Sequence, residues 1–134
     1  MNNREIKVTF PGGKRVDAEY KGFTVKTDQP VYAGGDSSAL APFDLFLVSI
    51  ATCSGIYALS FCRERGIPTE GAFLVMKPEK NPETKMIERV SIEINLHPEF
   101  PEKYRQAIIS AVNGCSVKAH IHRPPAFEVE TKLG

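Results

Sequence analysis

Apolar and polar residues alternate strictly in three short runs at the start of the chain. Ile6, Val8 and Phe10 form the first, Gly12-Gly13 breaks it, Val16, Ala18 and Tyr20 form the second, and Lys21-Gly22 separates it from Phe23, Val25 and Thr27. A period of two bounded by glycine turns predicts an antiparallel meander of three strands. From Gln29 to Ala41 the period disappears among Pro30, Gly34-Gly35, Asp36, Ser37 and Ser38. This is a loop long enough to be functional, a candidate lid. Pro42 to Arg65 has one glycine, Gly55, and no proline after the first position, and Gly66 follows. Proline at the first position and glycine just past the last are the marks of one long helix. A hairpin is expected at Ala72 to Lys77 and Met86 to Leu96. A second helix is expected from Pro101 to Asn113, with Tyr104, Ala107, Ile108, Ala111 and Val112 on one face, and a last short strand with Phe127 and Val129. The expected order is βββ-α-ββ-α-β.

Apolar residues surround the axis of the long helix: Phe43, Leu45, Phe46, Leu47, Val48, Ile50, Ala51, Ile56, Tyr57, Ala58, Leu59 and Phe61. An amphipathic surface helix has one apolar stripe, so this one is expected to be buried on all sides. A membrane span competes, but Asp44, Ser49, Thr52 and Ser54 interrupt the apolar run and the rest of the chain reads as ordinary sheet and helix. Six strands from a chain of 134 residues cannot cover such a helix alone. The expected architecture is an α+β homodimer, with antiparallel sheets wrapped around long central helices. The whole chain, 1–134, forms one domain of each subunit.

Composition adds exclusions. Apolar residues make up 42% and charged residues 25%, globular values that argue against disorder. Seventeen basic against sixteen acidic residues, a net charge of +1, give no electrostatic drive toward phosphates, so nucleic acid is not expected as a partner. The first ten residues lack an uninterrupted apolar stretch, which points to the cytoplasm. His120-Ile121-His122 provides two imidazoles without the paired cysteines that would complete a zinc site, so neither metal nor cofactor is expected. Gly12-Gly13-Lys14 and Gly34-Gly35 lack the spacing of a phosphate-binding loop.

The three cysteines are an odd set for a disulfide framework. Cys53 lies in a small-residue patch, Ser49 to Gly55, inside the bulky helix, either packed as a small hydrophobe or exposed to a pocket. Ile50, Ile56 and Tyr57 lie one turn away. Cys62, nine residues further, projects from the opposite face about 13 Å along the axis and cannot pair with Cys53. Cys115 extends the apolar face of the second helix by one step. If that face covers the long helix, Cys53 and Cys115 come close enough for a reversible disulfide.

The sequence resembles the OsmC/Ohr family, the osmotically inducible and organic hydroperoxide resistance proteins. The features that carry the resemblance are Gly34-Gly35, Ala41-Pro42 opening the long helix, Cys53 eleven residues after that proline, Gly66-Ile67, and Cys115-Ser116-Val117. It implies an intertwined homodimer with active sites at the subunit interface, reducing hydroperoxides to alcohols. Cys53 would be the attacking thiolate, Cys115 the resolving thiol, and an external thiol, of dithiol type, the reductant. It also implies a departure. The family glutamate after the helix-opening proline, which holds an arginine against the reactive thiol, is replaced by Phe43, with Asp44 one place later. Arg15 is the nearest counterpart of that arginine, and Phe43 joins Ile50, Ile56 and Tyr57 as candidate pocket residues. The alternative functions are a dimeric binding protein holding a small apolar ligand in the interface pocket, with Cys53 merely packed, and a purely structural dimer.

Overall fold

In the computed structural model, which describes residues 4–134, the chain forms two compact units, Met1–Val48 and Ser49–Gly134. The first contains the expected meander: β1 (Lys7–Gly12), β2 (Arg15–Tyr20) and β3 (Phe23–Thr27), paired antiparallel in that order. The register aligns Val8 with Ala18 and Ala18 with Val25, and Tyr20 with Phe23. The apolar members of all three strands therefore share one face.

The segment read as a candidate lid is a ring closed around one carboxylate. Asp28 is buried at the end of β3. Its Oδ1 accepts the Gln29 N–H at 2.8 Å, and its Oδ2 accepts the Ser38 hydroxyl at 2.6 Å and the Ser38 and Asp36 N–H groups at 3.1 and 3.2 Å. The Asp28 N–H closes the ring on the Leu40 carbonyl at 3.2 Å. A Cβ on Gly35 would lie 2.0 Å from the Gln29 carbonyl oxygen, so only glycine fits the inside of this turn. The Ser38 hydroxyl, then the Ser38 N–H, outweigh burial, and with the Gln29 and Asp36 amides they hold the Asp28 carboxyl at about 2 against an ordinary 3.8. A carboxylate depressed in the folded state stabilises the fold above the unfolded value, and that stabilisation is lost as pH falls through the folded one. Protection of the Asp36 and Ser38 amides, measured against their intrinsic exchange rates, should therefore fall between about pH 4 and pH 2, and Asp28→Asn should lower it already at pH 7. Equal exchange in the two proteins at pH 7 would contradict this account.

The long helix, α1 (Pro42–Glu64), starts at its expected Pro42 opening and ends one residue before Arg65. Asp44, three residues into the helix, accepts the Ala41 N–H at 3.1 Å and satisfies one of the donors at its start. At the other end Gly66 is left-handed, φ 65°. The Ile67 N–H reaches back to the Cys62 carbonyl at 2.9 Å and the Gly66 N–H to that of Arg63 at 3.3 Å, a Schellman closure. By length and composition α1 could also cross a membrane, with a mean hydropathy of 1.9.

In the second unit β4 (Phe73–Lys80) and β5 (Ile87–Asn95) form the hairpin, and a 3₁₀ turn, Glu102–Tyr104, leads into α2 (Arg105–Asn113). Ala58, Phe61 and Cys62 of α1 pack with Ile67 and with Ile108 and Val112 of α2 into one core, flanked by Leu74, Ile94, Leu96, Phe100 and Tyr104. Phe61 and Tyr104 meet edge to face with ring centroids 6.0 Å apart.

One expectation needs correction. The last strand is absent: Ser116–His122 forms a short helix, α3, and from Pro124 onward the chain has no ladder, with Phe127 and Val129 exposed. A strand needs a pairing edge, whereas Ser116 to His122 closes its own helical bonds, such as Ala119 N–H to the Cys115 carbonyl at 3.0 Å. Within one chain α1 is covered on one side only, in keeping with the expectation that a single chain cannot enclose it. Its buried residues, Ile50, Ser54, Ala58, Phe61 and Cys62, form one stripe, while Phe43, Phe46, Val48 and Ile56 are exposed.

Candidate active site

Cys53 is half-buried on α1, and Cys115 is fully buried immediately before α3. Both are free thiols, and despite their distance in sequence the Cys53 thiol lies near enough to act on that of Cys115. Cys62 lies in the core instead, where burial pushes its thiol up, partly offset by Arg65. The opposite projections of Cys53 and Cys62 follow from their nine-residue spacing.

The pair is bordered by a polar cluster. Ser54 is fully buried, and its hydroxyl donates to the Ile50 carbonyl at 2.7 Å. The Lys118 ammonium donates to the Ser54 oxygen at 3.0 Å and to the Val112 carbonyl at 2.9 Å. The Ser54 proton goes to the Ile50 carbonyl, and the Val112 carbonyl that takes Lys118 also accepts the Cys115 N–H at 3.3 Å. Burial alone would raise the Cys115 thiol. The Lys118 backbone N–H, the Cys53 thiol, the Lys118 charge and the Ser54 hydroxyl together bring it below the ordinary thiol range. Next to Cys115, Ser116 Oγ meets the Tyr57 hydroxyl at 3.0 Å, and its carbonyl meets His120 Nδ1 at 2.7 Å.

Each of the remaining residues singled out from sequence has its own local surroundings. Ile50 is buried and supplies the carbonyl that binds Ser54. Ile56 and Tyr57 line a groove of about 750 Å³ between α1 and α2, together with Phe61, Ala107 and Ala111. In the first unit, Arg15 pairs with Asp36 at 2.8 Å and approaches Ser38 Oγ at 3.4 Å. Phe43 packs on Phe46 with centroids 5.5 Å apart, and the Asp44 carboxylate binds the backbone at the start of α1. His120 and His122 are exposed on α3, and among the described residues no group of three or more His, Cys, Asp or Glu could hold a metal ion.

Sequence reasoning missed Lys118 and Ser54. The signal for Lys118 was its position three residues after Cys115, which brings a lysine back toward that cysteine once 116–122 is read as helix. Ser54 was noted as an interruption of an apolar run, and its adjacency to Cys53 is what places it in the cluster.

The fold has close solved counterparts. A candidate osmotic stress induced and detoxification response protein of Psychrobacter arcticus 273-4 superimposes with a TM-score of 0.75 at 25% identity, covering 91% of this chain and 89% of that one. A candidate organic hydroperoxide resistance protein of Vibrio cholerae, with captopril bound in one of its active sites, gives 0.58 at 22% identity, covering 90% and 85%. An organic hydroperoxide resistance protein OsmC of Legionella pneumophila gives 0.56 at 16% identity, covering 87% and 88%. A search of curated proteins returned no match. Residues 34–130, which hold α1, the hairpin, both cysteines of the pair and Lys118, match the family described as OsmC-like protein. By fold and by sequence, this chain belongs to the OsmC-like protein family.

Proposed function

We propose that this protein reduces organic hydroperoxides to alcohols through Cys53 and Cys115. The Cys53 thiolate attacks the O–O bond, which breaks to leave Cys53 as a sulfenic acid and, after proton uptake, an alcohol. Cys115 then attacks the Cys53 sulfur, the S–O bond breaks, and water leaves as the disulfide forms. An external dithiol returns both cysteines to thiols and is itself oxidised.

The observation that carries this reading is the meeting of Cys53 and Cys115 with Cys62 held apart in the core. The difference in exposure favours Cys53 for the first step, since a peroxide must reach the sulfur it oxidises and Cys115 is fully buried. Membership of the family supports the chemistry, as do the organic hydroperoxide resistance names of two structural counterparts. Peptide mapping after one equivalent of cumene hydroperoxide should find a Cys53–Cys115 disulfide within one chain and Cys62 free. A main product containing Cys62 would reject the assignment.

The protein acts as a cytoplasmic homodimer. The apolar face shared by Val8, Phe10, Phe23 and Val25 and the uncovered side of α1 at Phe46, Val48 and Ile56 are exposed in the single chain, and a second copy would cover them. Its mass in light scattering is the check.

A further inference from the structure

The reaction proposed above leaves one group unexplained: a lysine whose ammonium is turned inward at the thiol pair. Lys118 is only partly exposed. Both of its hydrogen bonds go to internal acceptors, the fully buried Ser54 oxygen at 3.0 Å and the Val112 carbonyl at 2.9 Å. Desolvating a lysine for two neutral acceptors is unfavourable unless the charge serves a neighbour. That neighbour is Cys115, whose thiolate would gain a cation and a hydroxyl donor at once.

We propose that Lys118 is a positioning residue of the resolving step: acting through Ser54, it stabilises the Cys115 thiolate that attacks the oxidised Cys53. The inference rests on the two-cysteine reading and adds to it a residue dedicated to the second thiol. Lys118 fixes the Ser54 oxygen by donating to it. Ser54 can then turn its one proton from the Ile50 carbonyl, 2.7 Å away, to the Cys115 sulfur when that sulfur becomes anionic. In the step itself the S–S bond forms and the Cys53 S–O bond breaks. The departing hydroxide leaves as water with the proton that Cys115 released, so no further oxidant or reductant is consumed. The Cys115 thiol already lies below its ordinary range, in the direction this arrangement requires. The titratable groups facing it are Cys53 from α1 and Lys118 from α3; Tyr57 and His120 engage the adjacent Ser116, and α2 contributes the neutral Val112 carbonyl.

The test is rapid-quench mass spectrometry of the full chain after one equivalent of cumene hydroperoxide. The first phase is the gain of one oxygen, the second its loss as water when the disulfide closes. In Lys118→Met the second phase should be about tenfold slower at pH 6.5, where the thiolate fraction falls tenfold for each unit that the thiol rises, and should approach the unmodified rate near pH 9. Lys118→Arg, which keeps the charge, should recover most of the loss. Ser54→Ala, with Lys118 intact, should slow the same phase at pH 6.5 and carries the test if Lys118→Met does not fold. An unchanged pH profile for the second phase in these variants, or an arginine variant as slow as the methionine one, would overturn the proposal. Absence of the first phase in the unmodified protein would instead remove the peroxidase reading on which it stands.

Discussion

Cys53→Ser should abolish hydroperoxide consumption, a loss on the order of 10³ or more, because it removes the atom that attacks the O–O bond rather than a group that assists it. Cys115→Ser should behave differently. Its Cys53 remains accessible, so one equivalent of peroxide should be consumed and the oxygen should stay on Cys53 as a sulfenic acid. A 1,3-dicarbonyl reagent would capture that species and locate it by peptide mass. The contrast follows from exposure, since Cys53 is half-buried while Cys115 is fully buried behind it. Were Cys115→Ser inert and Cys53→Ser able to accumulate a sulfenic acid on Cys115, the two roles would have to be exchanged. Cys62→Ser should leave the chemistry intact, because its sulfur sits among Ala58, Phe61, Ile108 and Val112.

Tert-butyl or cumene hydroperoxide should be reduced with kcat/KM one to two orders of magnitude above that for hydrogen peroxide. Residues three and four positions apart share a helix face, so Ile56 and Tyr57 lie on the side of α1 that carries Cys53. Both line the groove toward α2, whose walls include Phe61, Ala107 and Ala111. A hydrocarbon tail laid there is desolvated at about 0.8 kcal/mol per CH₂. Two or three methylene equivalents then give roughly 15- to 60-fold, provided the contact is kept in the transition state. Hydrogen peroxide has no tail to bury. Equal kcat/KM values for the two peroxide classes would exclude the groove from the substrate path.

Much of the fold could be read from local pattern because the relevant physics is local. The meander announces itself by alternation between glycine turns, and α1 by Pro42 and Gly66 at its ends, each with a short-range hydrogen bond behind it. The errors lie where the outcome depends on partners distant in sequence. Phe127 and Val129 suggested a strand, but alternation over so few residues carries little information and among the described residues no strand edge pairs with them. The composition of α1 calls for cover all round without saying what supplies it, and a single α2 covers one stripe. In the candidate site, the two cysteines were visible because their residue type is rare and their helix faces could be counted. Lys118 was not, since one lysine among many declares nothing until 116–122 is known to be helical. Arg15 was sought as the cation because it lies on an early strand, and there it is bound by Asp36 and Ser38.

The position of α1 also matters before the protein is complete. The residues of α2 that cover its stripe, Ile108 and Val112, lie about fifty residues beyond Phe61 and Cys62. At a synthesis rate of roughly 5–20 residues per second, the nascent chain carries an uncovered helix with the length and hydropathy of a membrane span for several seconds. During that interval the ribosome displays a segment that the membrane-insertion and chaperone machineries are built to recognise, and translation speed across residues 65–113 sets how long they compete for it.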